Sequence, residues 1–225
     1  ELEMVAAAHQ GAVRGSLRIA AIPTIAPYLL PAVVDGLQTA WPEARVVIEE
    51  LQTKAMVAAA ASGDLDMGLL ATPYDTGNLH VEPLADEPFR LALRDDHPLA
   101  QGASTVPLDV LTDLNVLLLP EGHCLRDHAL HACEIAGRAE HSEVKASSMA
   151  TLTRMVASGM GATLLPASAE AIEARPGSGI STRRFGDPAP GRTIALVWRP
   201  TDPRAELFAS VTPSLREGVA ALVGS

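Results

Sequence analysis

Two cysteines offer the clearest chemistry in the chain, because a cysteine thiolate is a nucleophile and two thiols can join in a disulfide. They are Cys124 and Cys133, the only cysteines among 225 residues, in the segment LPEGHCLRDHALHACEIAG. Cys124 is predicted to begin a helix, and the helix N-terminus, the adjacent His123 and the nearby Arg126 would all lower the pKa of its thiol. A thiolate attacks peroxide to give a sulfenic acid, which condenses with a second thiol within reach.

The spacing of the two cysteines makes this pair unusual. Nine residues of helix correspond to about 13.5 Å of rise and two and a half turns, so the two sulfurs point to opposite faces. A disulfide requires Cα atoms within about 7 Å of each other. The bond therefore cannot form inside the helix, and making it must unwind the segment and displace Leu125, Leu130 and Ile135. A disulfide at this spacing is therefore unsuited to stabilising the fold and well suited to switching its conformation with redox state.

The spacing alone leaves two other interpretations open. Two cysteines in one helix can simply be small buried apolar residues. Cys124, His128 and His131 also lie on one helical face with side chains that bind zinc. Because no well-placed fourth ligand follows and Cys133 lies on the opposite face, we expect no metal here.

The elements before the cysteines follow a strand–helix–strand–helix–strand order, which is typical of a parallel sheet with right-handed crossovers. The predicted segments are Ser16–Ile22, Ala26–Ala40, Arg45–Leu51, Lys54–Ala61 and Asp66–Ala71. Thr24 and Thr53 each follow a strand and precede a helix, at the sheet edge where such folds bind ligands. Either threonine could equally be an ordinary helix cap, Thr53 for the helix that begins at Lys54.

The rest of the chain predicts a second α/β unit, so the fold class is α/β, with two lobes and parallel-type sheets around a cleft. Short strands are expected at Leu79–Leu84, Phe89–Leu93 and Ala162–Leu165, and a longer one at Arg192–Trp198. Helices are expected at Cys124–Ala136, Met149–Ser158, Pro166–Ala174 and Ala205–Val223.

Composition limits what this chain can bind. Its net charge is −10, which repels phosphate, so these residues are not expected to hold nucleic acid. No apolar run approaches the roughly 20 residues that span a bilayer, and we expect no membrane partner. Residues 1–10 resemble the end of a helix rather than a signal peptide, which favours a cytoplasmic protein.

Several segments resemble the OxyR family of LysR-type transcription regulators. GHCLRD, with a second cysteine nine residues later, is similar to the redox signature of that family. IPTIAPYLLP, ASSMATLTRMVASGMGATLLPA and RTIALVWRP resemble LysR-type segments more generally. The resemblance implies a periplasmic-binding-protein-like regulatory domain. Residues 1–14 would end a linker helix, residues 15–86 and 195–225 would form lobe I, and residues 87–194 would form lobe II. A winged helix-turn-helix would precede residue 1.

The resemblance also implies roles. Cys124 would be the peroxide-reactive cysteine and Cys133 its resolving partner. Peroxide would be bound by four side chains: Thr24, Thr53, His123 and Arg192. Ser147 and Ser148 would lie at the cleft helix of lobe II. The implied partners are hydrogen peroxide, a second or further copies of the chain in a homodimer or homotetramer, promoter DNA through the preceding domain, and a thiol reductant such as glutaredoxin or thioredoxin. No cofactor is implied.

Three other classes of function compete with a peroxide sensor. A LysR-type domain that binds a small metabolite has no need of a paired thiol. A thiol peroxidase would need turnover by a reductant and is usually built on a thioredoxin-like fold, whereas a sensor reacts stoichiometrically and is not an enzyme. A periplasmic solute-binding protein would be exported to a compartment in which two reactive thiols are a liability.

Overall fold

The computed structural model describes residues 13, 15–137, 142–143, 146 and 148–224. Most of the predicted linker-helix end, residues 1–12 and 14, lies outside these residues, as does Ser147. The chain divides into two compact units, one of residues 1–86 and 193–222 and the other of residues 87–192 and 223–225. The chain returns to the first unit after residue 192, whereas the sequence predicts this return after residue 194.

The first unit is an α/β sheet with helices along it. Its elements are β1 (Gly15–Ala21), α1 (Ala26–Ala40), β2 (Ala44–Glu50), α2 (Thr53–Ser62), β3 (Met67–Thr72), the first part of β4 (His80–Arg94), most of β10 (Gly191–Trp198) and α6 (Ala205–Val223). The strand β1 pairs in parallel with both β2 and β3, as the strand–helix–strand order predicts. The strand β10 then runs antiparallel to β3, so the sheet is mixed.

Apolar side chains from both layers form the core of this unit. Leu17 and Ile19 of β1, Leu29 and Leu37 of α1 and Met56 of α2 are fully buried. Burial of one such side chain contributes about 1.5–3 kcal/mol to folding. This packing, rather than helix propensity, fixes the strand ends that carry Thr24 and Thr53.

A buried charge cluster ties the end of the first unit to its sheet. Arg204 donates to Asp66 at 2.8 Å and to both carboxylate oxygens of Asp202 at 2.9 Å. Arg199 adds a second guanidinium at 3.0 Å from Asp202. Burial alone would raise the pKa of Asp202, but the hydrogen bonds and positive charge of Arg204 and the charge of Arg199 outweigh it and hold that pKa below its usual value.

The second unit carries the cysteines. Its elements are the later part of β4, β5 (Thr105–Val106), β6 (Leu117–Leu118), α3 (Cys124–Ile135), β7 (Ser142–Glu143), α4 (Met149–Ala157), β8 (Thr163–Pro166), α5 (Ala167–Glu173) and β9 (Ile180–Phe185), with 3₁₀ turns at Pro98–Gln101 and Leu108–Thr112. The strand β4 pairs antiparallel with β8 and β9, whereas β5 pairs in parallel with β9. The sheets of this unit are therefore mixed: the parallel pairing that the sequence predicts is present at β5–β9 and β6–β7, but the longer pairings of β4 are antiparallel.

Three local predictions also need correction. The two short strands expected at Leu79–Leu84 and Phe89–Leu93 are one strand, β4, because pairing resumes directly after Pro88 with a hydrogen bond from the Phe89 N–H to the Pro190 carbonyl at 2.8 Å. The strand β9 was not expected. Thr53 is the first residue of α2 and not its cap, since Gln52 occupies that position with an extended backbone.

None of the helices in the described part of the chain is long and apolar enough to cross a membrane.

Candidate redox site

The helix α3 begins at Cys124 because the backbone turns sharply just before it. Gly122 has φ of +94°, a conformation that glycine adopts without strain, and His123 is the extended N-cap residue. Cys124 is thus in the first turn, where backbone N–H groups lack helical acceptors and the helix dipole favours negative charge. The predicted start of the helix at Cys124 is thus confirmed, and the thiolate stays a prediction.

Both cysteines are buried thiols, with 5% of Cys124 and 1% of Cys133 exposed, and no disulfide joins them. At 100° per residue they lie about 180° apart around the helix. The buried face of α3 is wide enough to include both at its two edges; it consists of Cys124, Leu125, Arg126, His128, Ala129, Ala132 and Cys133. The two positions therefore lie in one helix, separated by about 13.5 Å of helix rise, as the sequence predicts.

The packing of α3 differs in part from the sequence expectation. Leu125 is buried at 3% exposure, but Ile135 is 64% exposed and Leu130 is only half-buried. Ile135 lies in the last turn, beyond the residues that face the core. The apolar contacts that unwinding would break are therefore concentrated at Leu125 and the alanines, not at Ile135.

Arg126 links the helix to the segment that precedes it. The side chain is buried, and its Nη1 donates to the Leu119 carbonyl at 3.3 Å. The Arg126 backbone N–H donates to the His123 carbonyl at 2.9 Å. The first turn of α3 and the preceding loop are thereby held as one piece, with a positive charge two residues from Cys124.

Arg192 lies in the same unit, at the start of β10, and its partner is Glu87, a residue that the sequence does not single out. Its Nε donates to Glu87 Oε2 at 2.7 Å, and both side chains are fully buried. The other oxygen of Glu87 accepts the Ser168 backbone N–H at 3.0 Å. A single glutamate before a proline in an acidic chain gives no sequence signal of this role, since its partner is 105 residues away.

Thr24 and Thr53 belong to the first unit, and both are buried at 2% exposure. They follow the carboxyl ends of β1 and β2, which are neighbouring parallel strands. Because parallel strands end at one edge of a sheet, the two threonines share that edge, as expected. Their joint action with His123, Cys124 and Arg192 stays a prediction.

The remaining polar candidates have ordinary surroundings. Ser148 is the N-cap of α4 and accepts the Thr151 N–H at 3.3 Å. The His131 side chain, part of the zinc alternative, is 73% exposed. Among the residues that the structure describes, no cluster of three or more His, Cys, Asp or Glu side chains is arranged to hold a metal.

Comparison with known proteins shows which protein family this chain resembles. A family model described as the LysR substrate binding domain matches residues 10–219. A "Probable hydrogen peroxide-inducible genes activator" of Mycobacterium avium is 42% identical over 204 residues, which cover 90% of this chain and 65% of that protein. The "DNA-binding transcriptional dual regulator OxyR" of Escherichia coli is 39% identical over 211 residues, which cover 93% of this chain and 68% of that protein.

A solved structure of an OxyR protein is also similar to this chain. A cysteine-to-serine mutant of Corynebacterium glutamicum OxyR, described as H2O2-bound, superposes with a TM-score of 0.86 at 33% identity, covering 95% of this chain and 68% of that one. The chain belongs to the LysR substrate-binding-domain family and, within it, to the OxyR-type regulatory domains. It spans about two thirds of the length of these relatives.

Proposed function

We propose that this chain is the hydrogen-peroxide-sensing domain of a LysR-type transcription regulator, with Cys124 as the reactive cysteine and Cys133 as the resolving one. The observation that carries the proposal is the cysteine helix itself. Two buried thiols lie nine residues apart on α3, one in the first turn and the other at the opposite edge of the buried face.

The chemistry balances in two steps. The Cys124 thiolate attacks one oxygen of hydrogen peroxide, the O–O bond breaks, and the products are a sulfenic acid and hydroxide, which takes up a proton to become water. The Cys133 thiol then attacks the sulfenic sulfur, and a disulfide and a second water form. The sulfurs together lose two electrons, which the peroxide takes up, and no cofactor or metal is needed.

The disulfide is the signal in this proposal because it is incompatible with the helix. Its Cα atoms must come within about 7 Å, so α3 must unwind. The displaced segment would change the contacts between copies of the chain in a homodimer or homotetramer, and thereby the DNA-binding domains that precede residue 1. A thiol reductant such as glutaredoxin or thioredoxin would reset the cytoplasmic protein. The reaction is stoichiometric, so the domain acts as a sensor and not as an enzyme.

Thr24, Thr53, His123 and Arg192 are proposed to bind the peroxide. Hydrogen peroxide is small and has two donors and several acceptor sites, so hydroxyl, imidazole and guanidinium groups together are needed to orient it. A relative whose structure is described as H2O2-bound supports hydrogen peroxide as the ligand of such a domain. A metabolite effector is the other function known for such domains, but it gives no reason for the paired thiols of α3.

The test is a thiol titration of the wild type, Cys124→Ser and Cys133→Ser. One equivalent of peroxide should remove two thiols from the wild type, and dithiothreitol should restore both. Cys133→Ser should stop at a sulfenic acid on Cys124, and Cys124→Ser should react far more slowly. Equal peroxide reactivity of the two single variants would refute the assignment of roles.

A further inference from the structure

We propose that Glu87 is a positioning residue for the peroxide reaction, acting by holding the Arg192 guanidinium in one orientation. The inference rests on the proposed function, in which Arg192 assists the reaction at Cys124. Glu87 would not touch peroxide or sulfur itself.

The contact between the two side chains is suited to fixing orientation. Glu87 Oε2 accepts the Arg192 Nε at 2.7 Å, and both side chains have 0% exposure. Engagement through Nε constrains the plane of the guanidinium, because its donors form a rigid planar fork. A mobile arginine loses rotamer entropy when it is fixed, so an arginine held beforehand assists the reaction in the correct geometry more often than a mobile one.

Glu87 is itself held from two further directions. Its second oxygen accepts the backbone N–H of Ser168, in the first turn of α5. Its backbone is fixed by close approach of the opposite strand, since a Cβ on Gly191 would lie 2.7 Å from the Glu87 carbonyl oxygen. Glu87 therefore joins α5, β4 and the start of β10 at one buried point, and the carboxylate cannot follow a moving arginine.

The same stretch of β4 contacts the cysteine helix. Phe89 lies two residues after Glu87, so the two side chains share a face of the strand. The Phe89 ring lies 6.5 Å from the His128 ring, centroid to centroid. His128 is one helical turn after Cys124 on the same side of α3. The buried ion pair and the face of α3 that carries Cys124 are thus connected through one strand.

The experiment measures the rate constant for oxidation of Cys124 by hydrogen peroxide as a function of pH, in the full chain. Glu87→Gln keeps the size and an acceptor but loses the charge that aligns Arg192. We expect the high-pH plateau of the rate to fall about 10-fold or more, since small misplacements of a reacting group cost up to about 100-fold. Loss of a negative charge would by itself favour the thiolate, so a change in charge alone predicts a faster reaction at neutral pH.

A double-mutant cycle separates positioning from general damage. Arg192→Gln should slow the reaction, and Glu87→Gln added to Arg192→Gln should slow it no further, because the residue it positions is gone. Glu170→Gln is the matched control: Glu170 accepts Arg90 Nε at 3.1 Å in the same unit. It should leave the plateau within about twofold of the wild type, the scatter expected of surface changes away from a site.

The outcomes are distinct. If Glu87→Gln oxidises like the wild type, or slows the reaction equally with and without Arg192, the positioning role is overturned and the sensing function stands. If the wild type does not lose the Cys124 thiol to peroxide, the proposed function fails instead. If Glu87→Gln does not fold, Glu87→Asp applies the same test, because it withdraws the carboxylate by about 1.5 Å and should also lower the plateau.

Discussion

Leu125→Ala should make the oxidised domain harder to reduce, because Leu125 stabilises the helical, reduced form. The side chain is 3% exposed and packs beneath the first turn of α3. Beside it the structure leaves a cavity of only about 10 Å³, so the site is tightly filled. In the disulfide form the same residue lies inside the segment that must unwind, and it loses this packing.

The size of the effect follows from these facts. A buried Leu→Ala change costs about 2–5 kcal/mol when the surroundings cannot collapse. If the disulfide form has already lost the contact, almost all of this cost falls on the reduced form. For a two-electron couple about 30 mV corresponds to 1.4 kcal/mol, so the reduction potential should become more negative by about 40–110 mV.

The assay is equilibration of wild type and variant in a series of dithiothreitol redox buffers, with the two thiols counted by alkylation and mass spectrometry. Ile135→Ala is the matched control, since Ile135 lies on the same helix but is 64% exposed. Its expected change is within about 0.5 kcal/mol, which corresponds to about 10 mV. The reasoning is refuted if Leu125→Ala destabilises the reduced domain to urea but leaves the potential unchanged, because Leu125 would then be equally packed in both forms.

Two further predictions concern the first unit. Thr53→Val should slow Cys124 oxidation by about one to two orders of magnitude in stopped-flow traces, as expected when a positioning hydroxyl is lost. Thr39→Val, at an exposed threonine of α1, is the control and should not slow it. Equal rates for Thr53→Val and the wild type would show that Thr53 only packs. Asp202→Asn should cost about 3 kcal/mol of stability to urea at pH 7 by breaking a buried ion pair. The pKa of Asp202 is lowered in the folded state, so the stability that its ionised carboxylate contributes is present above the ordinary pKa of 3.8 and is lost as the pH falls through the lower folded pKa. The difference in stability between Asp202→Asn and the wild type should therefore shrink in acid. A difference that does not change with pH would contradict this prediction.

The elements most accurately predicted from the sequence are those with strong local signals. The helix Ala26–Ala40 has Pro27 in its first turn and Trp41-Pro42 after its end, and the predicted and observed bounds are the same. The cysteine helix was expected one residue longer than it is, with its start at Cys124. Apolar periodicity and turn residues are local properties, so a single sequence is enough to place such elements.

Tertiary contacts determined what the sequence did not predict. The strand Ile180–Phe185 contains Arg183 and Arg184 and follows a glycine-rich turn, so its pattern is not that of a strand, and its pairing with β4 and β5 makes it one. The break expected between Leu84 and Phe89 is absent, because backbone pairing continues through this stretch of β4. Charged and proline-containing stretches depend on partners that are distant along the chain.

In the candidate site too, residues with local signals can be predicted from the sequence, and residues that depend on tertiary contacts cannot. Cys124, Cys133 and His123 can be proposed from the sequence because their chemistry and spacing are local. Glu87 could not be found, since its importance depends on Arg192 and Ser168, which meet it only in the folded unit.

The central claim is that oxidation unwinds α3, and amide hydrogen exchange on the reduced and oxidised forms tests it most directly. In the reduced form the amides of residues 128–132 should be protected by helical hydrogen bonds. A disulfide between Cys124 and Cys133 requires this segment to unwind, so these amides lose their helical acceptors on oxidation. We predict a loss of protection at these amides on oxidation. Equal protection in both forms, with the disulfide verified by mass spectrometry, would contradict the account.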